Sequence, residues 1–251
     1  MMSDARLQAR LLPYETLDGV SQMALDQALL ESVSADPRTA AIRTYAWSEP
    51  TLSLGYFQTA SAARDDARWA GLTLVRRSTG GGAILHDQEI TYAVAVPRTH
   101  PATRRPQSLY RAVHGAITTA LARYGVALER RGPVESAGAK PFLCFLDHDP
   151  EDLVIGPHKV VGSAQRRRPG AVLEHGSILL ARSTWTPELP GITEITGQTL
   201  DPLSLAGEVS RAIGEALDLS LADSTWTTSE REAAAQIARE VFGAESWTTR
   251  R

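Results

Sequence analysis

One cysteine, Cys144, stands in a chain of 251 residues, which excludes an intramolecular disulfide and any cluster of thiolates around a metal. Lysine is almost as scarce: Lys140 and Lys159 are the only two among 26 basic residues, and the rest are arginine. No apolar run approaches the roughly 18 residues that span a bilayer. The opening MMSDARLQAR has no apolar stretch behind its basic residues, so no secretory leader is expected. Neither a dinucleotide-binding glycine fingerprint nor a Gly-Lys-Ser/Thr phosphate loop occurs. The six histidines lack metal-ligand spacing, and there is no internal repeat or low-complexity tract. A formal net charge of -3 offers no general electrostatic grip on nucleic acid. These absences predict a cytoplasmic protein with no metal, no nucleic-acid partner and no membrane partner.

What is present is the make-up of an ordinary globule, 43% hydrophobic and 22% charged, in a chain long enough to bury a core without staples. The spacing predicts a helix from Asp18 to about Ser34, with Asp18 or Ser21 as its cap. Strands are expected at Ala41–Trp47, Thr51–Phe57 and Leu72–Arg77, with a helix at Ala60–Ala70 closed by Gly71. Ala83–Leu85 and Ile90–Val96 follow as strands. A helix capped by Ser108 runs to Tyr124 and stops at Gly125, ahead of a strand near Val126–Glu129. RGPVESAGAKP, residues 131–141, reads as loop. Strands at Leu153–Ile155, Lys159–Ala164 and Val172–Leu180 precede two helices, about Leu203–Leu217 and Ser229–Phe242. Several strands are too closely spaced for helical crossovers. The expected fold is therefore one α/β domain over residues 1–251, built on a mixed, largely antiparallel sheet flanked by helices, with a helical tail from about residue 202.

Three segments carry chemistry. In Arg76-Arg77-Ser78-Thr79-Gly80-Gly81-Gly82, three glycines between strands let a backbone approach a ligand closely, and the arginines favour negative charge. A flexible hairpin loop is the plainer alternative, and His86 lies just beyond. The second segment runs from Gly156 to Gln165. There a rare lysine, Lys159, leads a strand whose Gly162, Ser163 and Ala164 leave room for a ligand or for close packing. The third is Cys144 within Phe-Leu-Cys-Phe-Leu, either a small buried hydrophobe or a nucleophile. A nucleophile needs its thiol shifted down from about 8.5 by a nearby cation, for which Lys159 and His148 are candidates. His175 reads as a structural, hydrogen-bonded histidine.

The ordered set MALDQALL, EPTLSLGYFQ, RRSTGGGAILHD, EITYAVAVP, the Lys159 block and LEHGSILL covers about residues 10–220. It resembles the lipoate-protein ligase A/octanoyltransferase family, distantly related to biotin-protein ligases. The chain departs from that pattern at Pro157, where the family often has glycine. The resemblance implies an acyltransferase that moves octanoyl from acyl-carrier protein to the lysine of a lipoyl domain. Such a domain is carried by a glycine-cleavage H protein or a 2-oxoacid dehydrogenase E2 subunit. Cys144, 15 residues before Lys159, matches the acyl-accepting cysteine of the octanoyltransferase branch, and about 50 residues after Leu200 leave little room for a ligase accessory domain.

On this resemblance Cys144 and Lys159 are catalytic. Arg76, Arg77, Gly80, Gly81, Gly82, His86, Gly162, Ser163 and Ala164 bind substrate, with the glycine loop lining an apolar acyl tunnel. No cofactor is implied, since passing from a thioester to an amide is downhill without ATP. Arg104–Arg105 and Arg166–Arg168 are either carrier-docking clusters or solvated charge. The alternatives are an ATP-dependent lipoate ligase in which Cys144 only packs, a lipoyl or octanoyl amidotransferase, and a non-catalytic acyl-binding paralogue.

Overall fold

The computed structural model describes residues 6–133 and 140–251, so the middle of the loop expected at 131–141 lies outside it. Strands β1 (Leu7–Leu11) and β2 (Glu15–Leu17) lead into helix α1 (Gly19–Ala35), and β3 (Thr39–Trp47), β4 (Thr51–Leu54) and α2 (Ser61–Arg64) follow. Next come β5 (Thr73–Arg76), β6 (Ile84–His86), β7 (Glu89–Pro97), α3 (Pro106–Ala122) and β8 (Glu129–Arg130). The hairpin β9 (Leu153–Ile155) and β10 (His158–Arg167) is followed by β11 (Ala171–Leu179). The chain continues through α4 (Ile192–Thr196), α5 (Pro202–Ala216), β12 (Leu219–Asp223), α6 (Thr228–Ile237) and α7 (Glu245–Thr248). Among these residues the strands form a nine-stranded sheet in the order β12-β1-β3-β7-β11-β10-β9-β8, with β2 beside β3, and a small sheet β5-β4-β6. Pairing is parallel at β12-β1, β1-β3 and β2-β3 and antiparallel from β3 to β8, which is the mixed, largely antiparallel sheet expected.

Burial on both faces explains why β7 reads as an almost unbroken apolar run. Its Ile90, Tyr92, Val94 and Val96 point into a core shared with α3 and α5. The alternate residues Ala93 and Ala95 meet α1 in a second core, and their small side chains let that helix lie close. α1 is buried nearly all round, between the sheet and α6, and Asp18 starts it by accepting from the Ser21 amide at 2.9 Å. A third core around Leu52, Leu54, Trp69 and Leu143 joins the small sheet to the Cys144 segment.

Four local expectations are corrected. The helix at 60–70 is broken into α2 and a 3-10 turn (Ala67–Trp69), because Asp66 is extended and its carboxylate takes the Arg68 amide at 2.9 Å. The strand after Pro50 ends at Leu54, where Gly55 passes so close to the glycine loop that an added Cβ would lie 1.9 Å from Gly81 O. α3 begins at Pro106, with Arg105 as its cap in place of Ser108, since a first-turn proline lacks an N–H that would go unbonded. The tail is not wholly helical: β12 pairs in parallel with β1 and forms the sheet edge.

Candidate active site

The glycine loop and the cysteine segment are tied together by backbone. Cys144 N–H donates to Ala83 O and Ala83 N–H to Phe142 O, both at 2.8 Å. Gly82 is the point of contact: a Cβ there would lie 2.9 Å from Cys144 N and 3.0 Å from its Cα. Gly81, at φ +96, adopts a left-handed conformation and leaves space toward Arg77 and the Cys144 sulfur. Gly80, Gly81 and Cys144 form one wall of a cavity of about 350 Å³, within the size range of small-molecule sites.

Lys159 crosses to the same sulfur. Its ammonium lies 3.8 Å from Cys144 Sγ, donates to Cys144 O at 3.1 Å and pairs with Asp152 Oδ1 at 2.8 Å. Lys159 is only 6% exposed. Burial opposes its charge, but the electrostatic pull of Cys144 and of Asp152, with the Asp152 hydrogen bond, outweighs that and raises its pKa, so it is held as an ammonium. Gly162 makes the path possible, since a Cβ at that position would stand 2.6 Å from Lys159 Cε.

The glycine loop is held from behind. Arg77 donates to Gly82 O at 2.7 Å, Gly80 O at 3.3 Å and Ser53 O at 2.7 Å. Burial, only partly offset by Cys144 and Glu89, brings this guanidinium down to about 10. It also bonds Ser53 Oγ, which meets His86 Nε2 at 2.7 Å, while His86 Nδ1 faces Glu89 Oε1 at 2.7 Å. His86 is buried and stacked on Trp47, and burial lowers its pKa. On the α1 side, Asp26 receives Arg43 at 3.1 Å, Tyr45 at 3.0 Å and His175 Nδ1 at 2.9 Å. His175 Nε2 in turn bonds Thr79 Oγ1 at 2.9 Å, beside the glycines.

Of the residues singled out in the sequence, Cys144, Lys159, Arg77, Gly80, Gly81, His86, Gly162, Ser163 and Ala164 line one cavity. Two are placed elsewhere. Arg76 turns away and donates to the carbonyls of Thr248, Gly55, Tyr56 and Gln58, so it clamps α7 to the turn after β4. Gly82 packs behind Cys144. His148 is exposed at the cavity lining. The expected apolar tunnel has mixed walls, with Met23 and Ile84 beside Tyr45, Thr91 and Ser177. Arg104 and Arg105 are exposed, whereas Arg167 bonds Thr103 O and Arg168 pairs with Glu31 at 3.4 Å. Sequence reasoning missed Asp152, Asp26 and His114. Asp26 alone left a signal, as a carboxylate inside the apolar run MALDQALL.

The chain was compared with known proteins. A family model of the lipoyl protein ligase A/B catalytic domain matches residues 18–186. Octanoyltransferase LipM of Brevibacillus brevis is 31% identical over 281 residues, covering 97% of this chain and 99% of that protein. LipM of Anoxybacillus flavithermus is 40% identical over 169 residues, covering 63% of this chain and 60% of that one. A crystal structure of lipoate-protein ligase A bound with ATP gives a TM-score of 0.78 at 23% identity, covering 96% of this chain and 98% of that one. A putative lipoate protein ligase from T. acidophilum with bound lipoic acid gives 0.79 at 23%, covering 97% and 100%. At these identities the structures speak for the fold alone. The family match and the end-to-end kinship with LipM agree: this chain belongs to the lipoyl protein ligase A/B catalytic-domain family.

Proposed function

We propose that this protein is an octanoyltransferase working through a thioester on Cys144. The observation that carries the reading is the thiol of Cys144 in the cavity with the Lys159 ammonium 3.8 Å from its sulfur. The kinship with LipM supplies the acyl group, octanoyl. Cys144 sulfur attacks the octanoyl thioester of an acyl-carrier protein, and the carrier's sulfur leaves as its thiol. The ε-amine of a lipoyl-domain lysine then attacks the acyl-enzyme, the C–S bond breaks, and an amide remains. Lys159 places a positive charge where sulfur is anionic in both steps. Arg77, through Gly80 and Gly82, holds the loop against the acyl group. The acceptor is a glycine-cleavage H protein or a 2-oxoacid dehydrogenase E2 lipoyl domain, and the setting is the cytoplasm. No helix among the described residues is long and apolar enough to cross a membrane.

The test is intact-protein mass spectrometry after mixing with octanoyl-acyl-carrier protein without ATP, beside a Cys144→Ser control. One octanoyl adduct is expected, removed by neutral hydroxylamine and missing from the control. Failure to form it, with a lipoyl domain modified only when ATP and lipoate are supplied, refutes the reading.

A further inference from the structure

Further along β10 from Lys159, the cavity wall around Ser163 and the facing His114 of α3 has no role in the chemistry above, and its hydrogen bonds have a fixed direction. His114 Nδ1 stands against the main-chain carbonyl of Glu151. A carbonyl oxygen only accepts, so Nδ1 carries the proton and Nε2 keeps its lone pair. Nε2 faces Ser163 Oγ, which therefore gives its single proton to the imidazole. The Tyr92 hydroxyl also meets Ser163 Oγ and must be the donor to it. Burial, opposed by the Glu151 contact, pulls His114 down to about 4, so this order holds through neutral pH.

Ser163 thus presents one lone pair and no proton to whatever enters the cavity. Its neighbours extend the pattern. Gln165 has both amide protons engaged, on Pro106 O at 3.0 Å and Glu174 Oε2 at 2.9 Å. Asp149 adds a carboxylate to the lining, while the Glu151 carboxylate beside it already accepts from Arg111 at 3.0 Å and Arg130 at 3.3 Å. The Tyr110 hydroxyl, which accepts from the Gln165 main chain, is the donor this group of residues retains. Around Ser163 an anion finds little to bind, whereas an N–H finds the Ser163 lone pair and the Asp149 carboxylate.

We propose that Ser163 Oγ accepts an N–H of the attacking lysine amine, with His114 as the positioning residue that keeps the hydroxyl turned to accept. The proposal rests on the acyltransferase reading and assigns the acceptor its place in the cavity. The nitrogen lone pair forms the C–N bond, the C–S bond breaks, and the amine's surplus proton passes to the Cys144 sulfur. Ser163 takes no proton. Its lone pair holds one N–H and so aims the nitrogen at the thioester carbon.

The experiment isolates the octanoyl-enzyme and discharges it in parallel to a lipoyl domain, to N-acetyl-lysine amide and to a small thiol that has no N–H. Ser163→Ala is expected to lower the ratio of amine to thiol discharge about tenfold, the worth of one buried hydrogen bond. His114→Leu should do the same. His114→Gln, whose amide oxygen can take the Ser163 proton, and Ser163→Thr should restore most of the ratio, which loss of packing alone would not produce. An unchanged ratio in Ser163→Ala overturns the proposal. So does a loss of ATP binding by calorimetry with the ratio intact, which would give this wall to a nucleotide. If the unsubstituted protein forms no octanoyl-enzyme, the thioester reading falls first and this proposal with it.

Discussion

Gly162 controls where Lys159 can lie, so Gly162→Ala is a precise perturbation of the cation without removing it. The new methyl carbon would sit 2.6 Å from Lys159 Cε and 3.2 Å from Nζ, so the flexible side chain gives way before the sheet does. At an effective dielectric of about 20, an ammonium 3.8 Å from an anionic sulfur contributes about 4.4 kcal/mol, falling to about 2.6 kcal/mol if it retreats to about 6.5 Å. The difference, about 2 kcal/mol, predicts a roughly twentyfold slower octanoylation of Cys144. Displacement also strains the buried Lys159–Asp152 pair, so overpacking should cost about 1–3 kcal/mol of stability. Quenched-flow mass spectrometry reads the rate, and chemical denaturation the stability. In a double-mutant cycle, adding Gly162→Ala to Lys159→Ala should change the rate little, because the cation it displaces is already gone. An acylation rate within twofold of the unsubstituted protein, or full additivity in the cycle, would refute the electrostatic argument.

Three further outcomes are expected. Gly82→Ala drives a methyl group into the Cys144 backbone and should lower the thermal midpoint by about 3–10 °C, with acylation lost in the same variant, as read by calorimetry and adduct mass. Asp26→Ala strips the buried Arg43 of its carboxylate and unties His175, which should cost about 3–5 kcal/mol in urea denaturation. Glu174 is wholly buried, and burial, eased a little by Gln165, pushes its carboxyl up to about 8. The folded state therefore holds a proton that the unfolded chain loses near its ordinary value of about 4.5, so this contribution to stability is whole below that pH and declines until about pH 8. Glu174→Gln should flatten that slope in denaturation curves between pH 5 and 8 and stabilise most at the alkaline end.

Local signals in the sequence were good guides wherever the chain answers to its near neighbours. The Asp18 cap, the turn at Gly156, and the strands β7 and β11 all follow from residues a few positions apart. Asp66 shows the limit: a carboxylate that caps one turn also ends the previous one, and periodicity alone merged the two. β12 was invisible for another reason, since its partner β1 lies about two hundred residues away and LSLAD carries no long alternation. The site divides in the same way. Glycines and a rare lysine mark themselves by type, so Gly81, Gly162 and Lys159 could be picked out. Arg76 and Arg77 look alike in sequence, yet neighbouring residues on a strand face opposite ways, and only Arg77 reaches the cavity. Asp152 and His114 became visible only once the fold placed them beside Lys159 and Ser163.

The Lys159–Asp152 pair has one more consequence. An enzyme that hands acyl groups to amines must not acylate its own, and under the proposed chemistry Lys159 is the amine nearest the thioester. An ammonium has no lone pair, so the proton that Asp152 helps to keep on Nζ makes it inert as an acceptor. The scarcity of lysine elsewhere in the chain works in the same direction, because guanidinium groups carry positive charge without offering a competing nucleophile.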